Sequence, residues 1–249
     1  MMMARLTRAP LSNSQIAQLI HCTMTSDKFQ IAAQQEYQRA ATQLKGCKDT
    51  SGALHKSYER YDNLIAKAFD ESTTKPACKA GCAFCCHYKV EARAHEMLLI
   101  KSYISKTFSA ETIQTVLAKA EANAAIIRTL TPEQHLTTNL KCPLLVDNQC
   151  SVYPVRPFRC RNFHSTDAVA CEQSFNEPGN MDIATGMIEE VAMLADALTQ
   201  GFEAAAEQTG KDNRVYDFNT ALLEVFGDAN VVKRYQRGKQ TFRQAIEVQ

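Results

Sequence analysis

Apolar residues recur at three- and four-residue intervals along most of the chain, which predicts a largely helical protein. Phe29, Ala33, Tyr37, Ala40 and Leu44 form one stripe, and Gly46 is placed to end it. Leu54, Tyr58, Tyr61, Ile65 and Phe69 form a second, so the two runs are expected to make an antiparallel helix pair. Helical spacing returns with Met97, Ile100, Ile104 and Phe108, then with Ile113, Val116, Ala120, Ala124 and Ile127. Ser109 is a good N-cap between them. Thr131-Pro132-Glu133-Gln134 fits a capping box with proline at the first helical position. Ile188, Val191, Leu194, Leu198 and Phe202 predict a later helix that Gly210 is placed to stop, and a last helical run holds Leu222, Leu223 and Phe226.

Two stretches break this pattern. Residues 75–89, KPACKAGCAFCCHYK, carry no helical stripe, and residues 140–165 contain Pro143, Pro154 and Pro157, which prevent a continuous helix. Asp147-Asn148 lies between short apolar runs and reads as the turn of a small β-hairpin. The expected fold is therefore mostly α, a helical bundle with two irregular cysteine-bearing loop regions, one of them with a hairpin, joined around a metal site. Residues 1–74 would form an N-terminal helical segment, 75–175 a cysteine-cluster region with intervening helices, and 176–249 the C-terminal helices, together one domain.

Charge adds little to this picture. Twenty-eight Lys and Arg against 27 Asp and Glu leave a net +1, so no whole-chain field draws the protein to nucleic acid or an acidic membrane. Only 9 Gly and 7 Pro argue against a Rossmann domain or a TIM barrel. The opening MMMARLTRAPLSNSQIAQLIHC has no uninterrupted apolar core, and no stretch approaches the roughly 18 apolar residues of a membrane span. A cytoplasmic protein is the expectation.

Ten cysteines change the picture. Cys22 and Cys47 read as free thiols that pack as small hydrophobes. The other eight crowd between positions 78 and 171, which in a reducing compartment points to metal or redox chemistry more than to disulfides. The first group is Cys78-x3-Cys82-x2-Cys85-Cys86, with Gly81 supplying flexible backbone for thiolates that must converge on one point. Cys85 and Cys86 are adjacent, so their side chains are expected to diverge and to serve different metals, unless one bridges. The second group, Cys142-x7-Cys150-x9-Cys160-x10-Cys171, is spaced too widely for a single knuckle and would complete sites begun by the first.

Eight thiolates suffice for two four-thiolate sites, each with a charge of about −2 around zinc or a [4Fe–4S] cluster. Lys75, Lys79, Arg156, Arg159 and Arg161 run through both groups and could offset that charge, although a solvated face would explain several of them. Arg156 and Arg161 are read first as holding loops, and Glu96 as a helix cap. His87 and His164 stand open as further ligands, while His21, His55, His95 and His135 receive no role.

The run CKAGCAFCC, followed by CPLL and CSVYPVRPFRCR, resembles the CxxCxxCC (YkgJ-like) family of zinc- or iron-chelating cysteine-cluster proteins. The matching positions are Cys78, Cys82, Cys85, Cys86, Cys142-Pro143, Leu145, Cys150, Val152-Tyr153, Arg156-Pro157 and Cys160-Arg161, fewer than half of the residues. Two features depart from the family pattern: the first gap is three residues, and Phe163-His164 stands where the family often has an aromatic and proline.

The resemblance implies a metal-binding protein that chelates zinc or iron, including as an iron–sulfur cluster, through seven or eight thiolates, with Cys171 outside the clearest match. The family is similar to the metal-binding part of a flagellin lysine N-methylase, which implies as an alternative an iron–sulfur-dependent protein-modifying enzyme. A zinc-stapled interaction module is a third reading. Cys78-x3-Cys82-x2-Cys85 also resembles the cluster motif of radical S-adenosylmethionine enzymes, but the alternating strands of their barrel are missing. Thiolates suit zinc and iron alike. Whether the chain is an enzyme, and on what partner or substrate, stays open at this level.

Overall fold

The structure is a computed structural model that describes residues 13–248, with side chains from Asp27 onward. His21 and Cys22 lie in its first helix, but their side chains are outside the described residues.

The first two expected helices are α1 (Asn13–Leu44) and α2 (Ser51–Glu71), separated by a turn in which Gly46 adopts a left-handed φ of 71°. They touch through the buried Glu36, which accepts from Arg60 Nε at 2.6 Å and Ser57 Oγ at 2.7 Å. The main partner of α1 is instead the distant α8 (Glu189–Glu207). A Cβ on Gly201 of α8 would strike the Ala33 carbonyl and come within 3.1 Å of the Tyr37 nitrogen, so glycine is what lets the two helices close.

Between them in sequence lie α3 (Ala94–Thr107) and α4 (Ala110–Ile127), with Ser109 accepting from the Thr112 N–H at 3.1 Å as the N-cap. α5 (Pro132–Leu136) begins with the expected capping box: Gln134 N–H donates to Thr131 Oγ1 and Thr131 N–H to Gln134 Oε1. The C-terminal run forms α9 (Phe218–Gly227), against which α3 and α4 pack, and a short α10 (Val231–Gln236).

The sequence pattern shows no sign of a three-stranded antiparallel sheet. It comprises β1 (Glu91–Arg93), β4 (Val215–Asp217) and β5 (Glu247–Val248) in that order, with Ala92 opposite Tyr216 and Val215 opposite Val248. Strands this short have too few alternations for a period of two to register. The hairpin is β2 (Leu145–Val146) and β3 (Gln149–Cys150), and both turn residues, Asp147 and Asn148, have positive φ (48° and 57°). That is the twist two-residue hairpins need, supplied by the residue types that tolerate it best after glycine.

One apolar cluster links every region: Leu54 and Tyr58 of α2, Met97 and Ile100 of α3, Phe158, Phe202 of α8, and Phe242 near the C-terminus. Among the described residues no helix is long and apolar enough to cross a membrane.

Candidate metal centre

The loop after α2 is anchored where Ala77 N–H donates to the Ser165 carbonyl at 2.7 Å, and the Cys78 sulfur lies 3.9 Å from the same oxygen. Gly81 takes a φ of 87° in the turn closed by Cys82 N–H on Lys79 O at 3.0 Å. A single 3₁₀ turn, Phe84–His87, then presents Cys85 and Cys86. Helix α7 (Ala168–Asn176) packs on that turn, with Phe175 5.6 Å from the Phe84 ring and 4.9 Å from the His87 ring. Tyr88 adds a hydroxyl bond to Ser174 at 3.4 Å. Cys171 sits one helical turn before Ser174 and Phe175, on the same face, so this packing carries it to the first cysteine group.

The second group is spliced to the first through backbone. Cys142 N–H donates to the Cys86 carbonyl and Leu140 N–H to the His87 carbonyl, both at 2.8 Å. The chain turns at once into the hairpin, where Cys150 lies opposite Leu145. Leu145 N–H donates to the Cys142 carbonyl at 3.0 Å, and the backbone N–H groups of Leu144 and Leu145 near Cys142, and of Val152 near Cys150, act to lower those thiols against burial. Backbone N–H groups beside a sulfur favour its thiolate and are the usual support of sulfur ligands.

Cys160 lies on α6 (Phe158–Asn162), which is held at both ends. At its start, the Phe158 ring meets Tyr58 edge-on at 4.8 Å and lies 5.7 Å from Tyr61, while its N–H donates to the buried Glu96 carboxylate at 2.8 Å. Glu96 also accepts from Arg93 N–H at 2.8 Å, so it caps α3 as expected and ties α6 to it. Beyond Cys160, the buried Arg161 donates to Pro154 O at 2.6 Å, to Arg156 O at 3.1 Å and to both Asp62 oxygens at 2.6 Å.

Electrostatically the thiols differ. The adjacent Cys86 and burial raise Cys85, while Cys85 and Arg156 bring Cys86 down to about 7. Burial pushes Cys142 up to about 12 and raises Cys78, Cys150 and, most strongly, Cys160. Charge on Cys86, Cys142 and Cys150 adds to the effect at Cys160. Arg156 and Arg161 act oppositely on Cys150.

All eight clustered cysteines thus meet around the 3₁₀ turn, the hairpin, α6 and α7, each with a free thiol, while Cys47 stands apart and bonds Gln43 O at 3.0 Å. The thiols are neighbours and not yet a closed cage: among the described residues no three His, Cys, Asp or Glu side chains are drawn tightly enough to grip a metal ion as they stand. The donor set itself, thiols with backbone N–H groups beside Cys142 and Cys150 and with Arg156 and Arg161 nearby, fits zinc or iron.

His164 has both ring nitrogens engaged, Nε2 accepting from Ile188 N–H at 3.0 Å and Nδ1 against Asn162 O at 3.2 Å. His87 uses Nδ1 on Ala83 O at 3.0 Å. Lys75 caps the end of α2 through Phe69 O and Asp70 O, and Arg159 lies over the Phe163 ring, so neither is committed to the thiols. Sequence reasoning missed α7 and its role in placing Cys171. Asp167 was the available signal: its carboxylate accepts from Val169 and Ala170 N–H as the N-cap. Asp62, the partner of Arg161, carried no signal at all.

No curated protein and no solved structure matches the chain. Residues 77–182 match the model of the CxxCxxCC family, described as "Putative zinc- or iron-chelating domain", so the resemblance read from the cysteine spacing holds over that segment.

Proposed function

We propose that this chain chelates zinc or iron through cysteine thiolates, with Cys78, Cys82, Cys85, Cys86, Cys142, Cys150, Cys160 and Cys171 as the ligand set. The supporting observation is the meeting of thiols from four separate elements, held by backbone pairing between Cys142 and Cys86 and by α7 on the 3₁₀ turn. Each thiol gives up its proton as it becomes a ligand, so chelation releases protons and weakens as pH falls. Cys85 and Arg156 hold the Cys86 thiol below its ordinary value, which favours its thiolate. The guanidinium groups of Arg156 and Arg161 then offset negative charge that would be costly to bury alone. The surplus of thiolates over one structural zinc favours a multinuclear or iron–sulfur site.

Anaerobic purification followed by visible absorption and assays for iron, zinc and acid-labile sulfide tests this. Metal per chain at or above one is expected, with broad absorption near ~400 nm if iron–sulfur is present. Metal-free protein that takes up neither zinc nor iron, with all eight thiols titratable, would overturn it.

A further inference from the structure

Resting on that chelator reading, we infer that the eight cysteines divide into two sites with different duties. Cys86, Cys142, Cys150 and Cys160 form an inner site that belongs to the fold, and Cys78, Cys82, Cys85 and Cys171 form an outer site that exchanges its metal with solvent.

The inner four come from elements locked to one another. Cys142 is paired by backbone to Cys86, the hairpin fixes Cys150 a few residues on, and α6 is tied down on both sides of Cys160 by Glu96 and Arg161. Cys142 and Cys150 pack against the apolar core. All six pairs among these four sulfurs are near enough to act on each other's charge. One four-coordinate centre takes four thiolates, so this group is complete in itself.

The outer four are held differently. Cys78 and Cys82 lie on a loop with exposed Lys79, Ala80 and Gly81 between them, and Cys78 is itself exposed. Cys78 neighbours Cys82, Cys85 and Cys171, and Tyr88 stands beside Cys82, Cys85 and Cys171. Cys85 spans the boundary, near Cys86 and Cys160 of the inner site as well as Cys78 of the outer one, so the two sites share a wall. An exposed loop opens at far lower cost than a core-packed hairpin, so metal should leave the outer site first.

The test is a zinc titration of the apoprotein, then release of bound zinc to a chromogenic chelator, with Cys82→Ser, Cys171→Ser, Cys142→Ser and Cys160→Ser variants. Two zinc ions per chain are expected, one leaving on the order of tenfold more slowly than the other. Cys82→Ser and Cys171→Ser should abolish the fast phase and keep the slow one and the circular dichroism spectrum. Cys142→Ser and Cys160→Ser should abolish the slow phase; if they do not fold, the outer variants decide alone. A single zinc per chain, or loss of both phases on changing Cys82 or Cys171, overturns the division. A wild-type chain that takes no zinc and no iron overturns the chelator reading instead.

Discussion

Arg161 and Asp62 are joined by a single guanidinium nitrogen that lies 2.6 Å from both carboxylate oxygens, linking the residue after Cys160 to the middle of α2. The pair is asymmetric: the Arg161 side chain is 1% exposed and that of Asp62 54%. Arg161 also lies 4.0 Å over the Tyr58 ring and satisfies two backbone carbonyls. The cost of breaking the link therefore depends on which partner is removed.

Arg161→Ala strips the Pro154 and Arg156 carbonyls of their donor and should cost about 2–4 kcal/mol. Asp62→Ala leaves those bonds in place and removes only a half-exposed acceptor, worth about 1 kcal/mol or less. Urea unfolding of the two variants checks the order; equal losses would mean the carboxylate, not the carbonyls, anchors the arginine.

Glu96 gathers three donors: Tyr58 O–H at 3.1 Å, and the N–H groups of Phe158 and Arg93. Glu96→Ala orphans all three in a buried setting and should cost about 3 kcal/mol or more. Glu96→Gln keeps one oxygen for Tyr58 and Phe158 but turns an N–H group on Arg93, so about half of that loss should return. Because α6 hangs on this carboxylate, metal retention should fall in the same order as thermal stability.

Gly201→Ala sets two effects against each other. Helix propensity alone would favour alanine by about 1 kcal/mol. The new Cβ, however, runs into the Ala33 carbonyl and crowds Glu36 of α1, which are backbone and buried atoms with little room to shift. A net loss of about 1–3 kcal/mol is expected, seen as a Tm several degrees lower. A Tm at or above wild type would show that α1 and α8 can slide apart without cost.

His95 is fully buried beside the Phe202 ring, and neither of its nitrogens has a partner among the described residues. Burial, with Arg93 nearby, pushes it from the ordinary 6.5 down to about 3. Between those values the unfolded chain binds a proton that the folded one refuses, so this contribution is intact above 6.5 and is lost as pH falls toward 3. From pH 7 to 5 the loss amounts to about 2 kcal/mol. His95→Leu removes that dependence: the wild type should lose about that much more stability than the variant over this interval. Parallel losses in the two proteins would mean that His95 is protonated in the fold.

Much of the helical frame was legible in the chain. Gly46, Ser109 and the Thr131–Gln134 box act through bonds to residues three or four positions away, so local sequence suffices to place them. The hairpin turn at Asp147-Asn148 is readable for the same reason. The partners are a different matter. Periodicity marked α1 as helical and suggested α2 beside it, yet α1 lies mainly along α8, because the pairing rests on a close backbone approach at Gly201. The β1–β4–β5 sheet joins segments more than a hundred residues apart through strands of two or three residues, which leave no periodic trace.

At the cysteines the division is equally physical. By itself the sequence determined the chemistry: which residues are thiols, how they are spaced, and that they follow the CxxCxxCC order, since donor type is a property of the side chain. Which thiols are neighbours was decided only by tertiary structure. Cys171 reaches the first group through the packing of Phe175 on Phe84 and His87, Cys142 through a backbone bond to Cys86, and Cys160 through Glu96 and Arg161. These contacts span tens of residues and depend on burial and hydrogen-bond geometry, neither of which a spacing rule encodes.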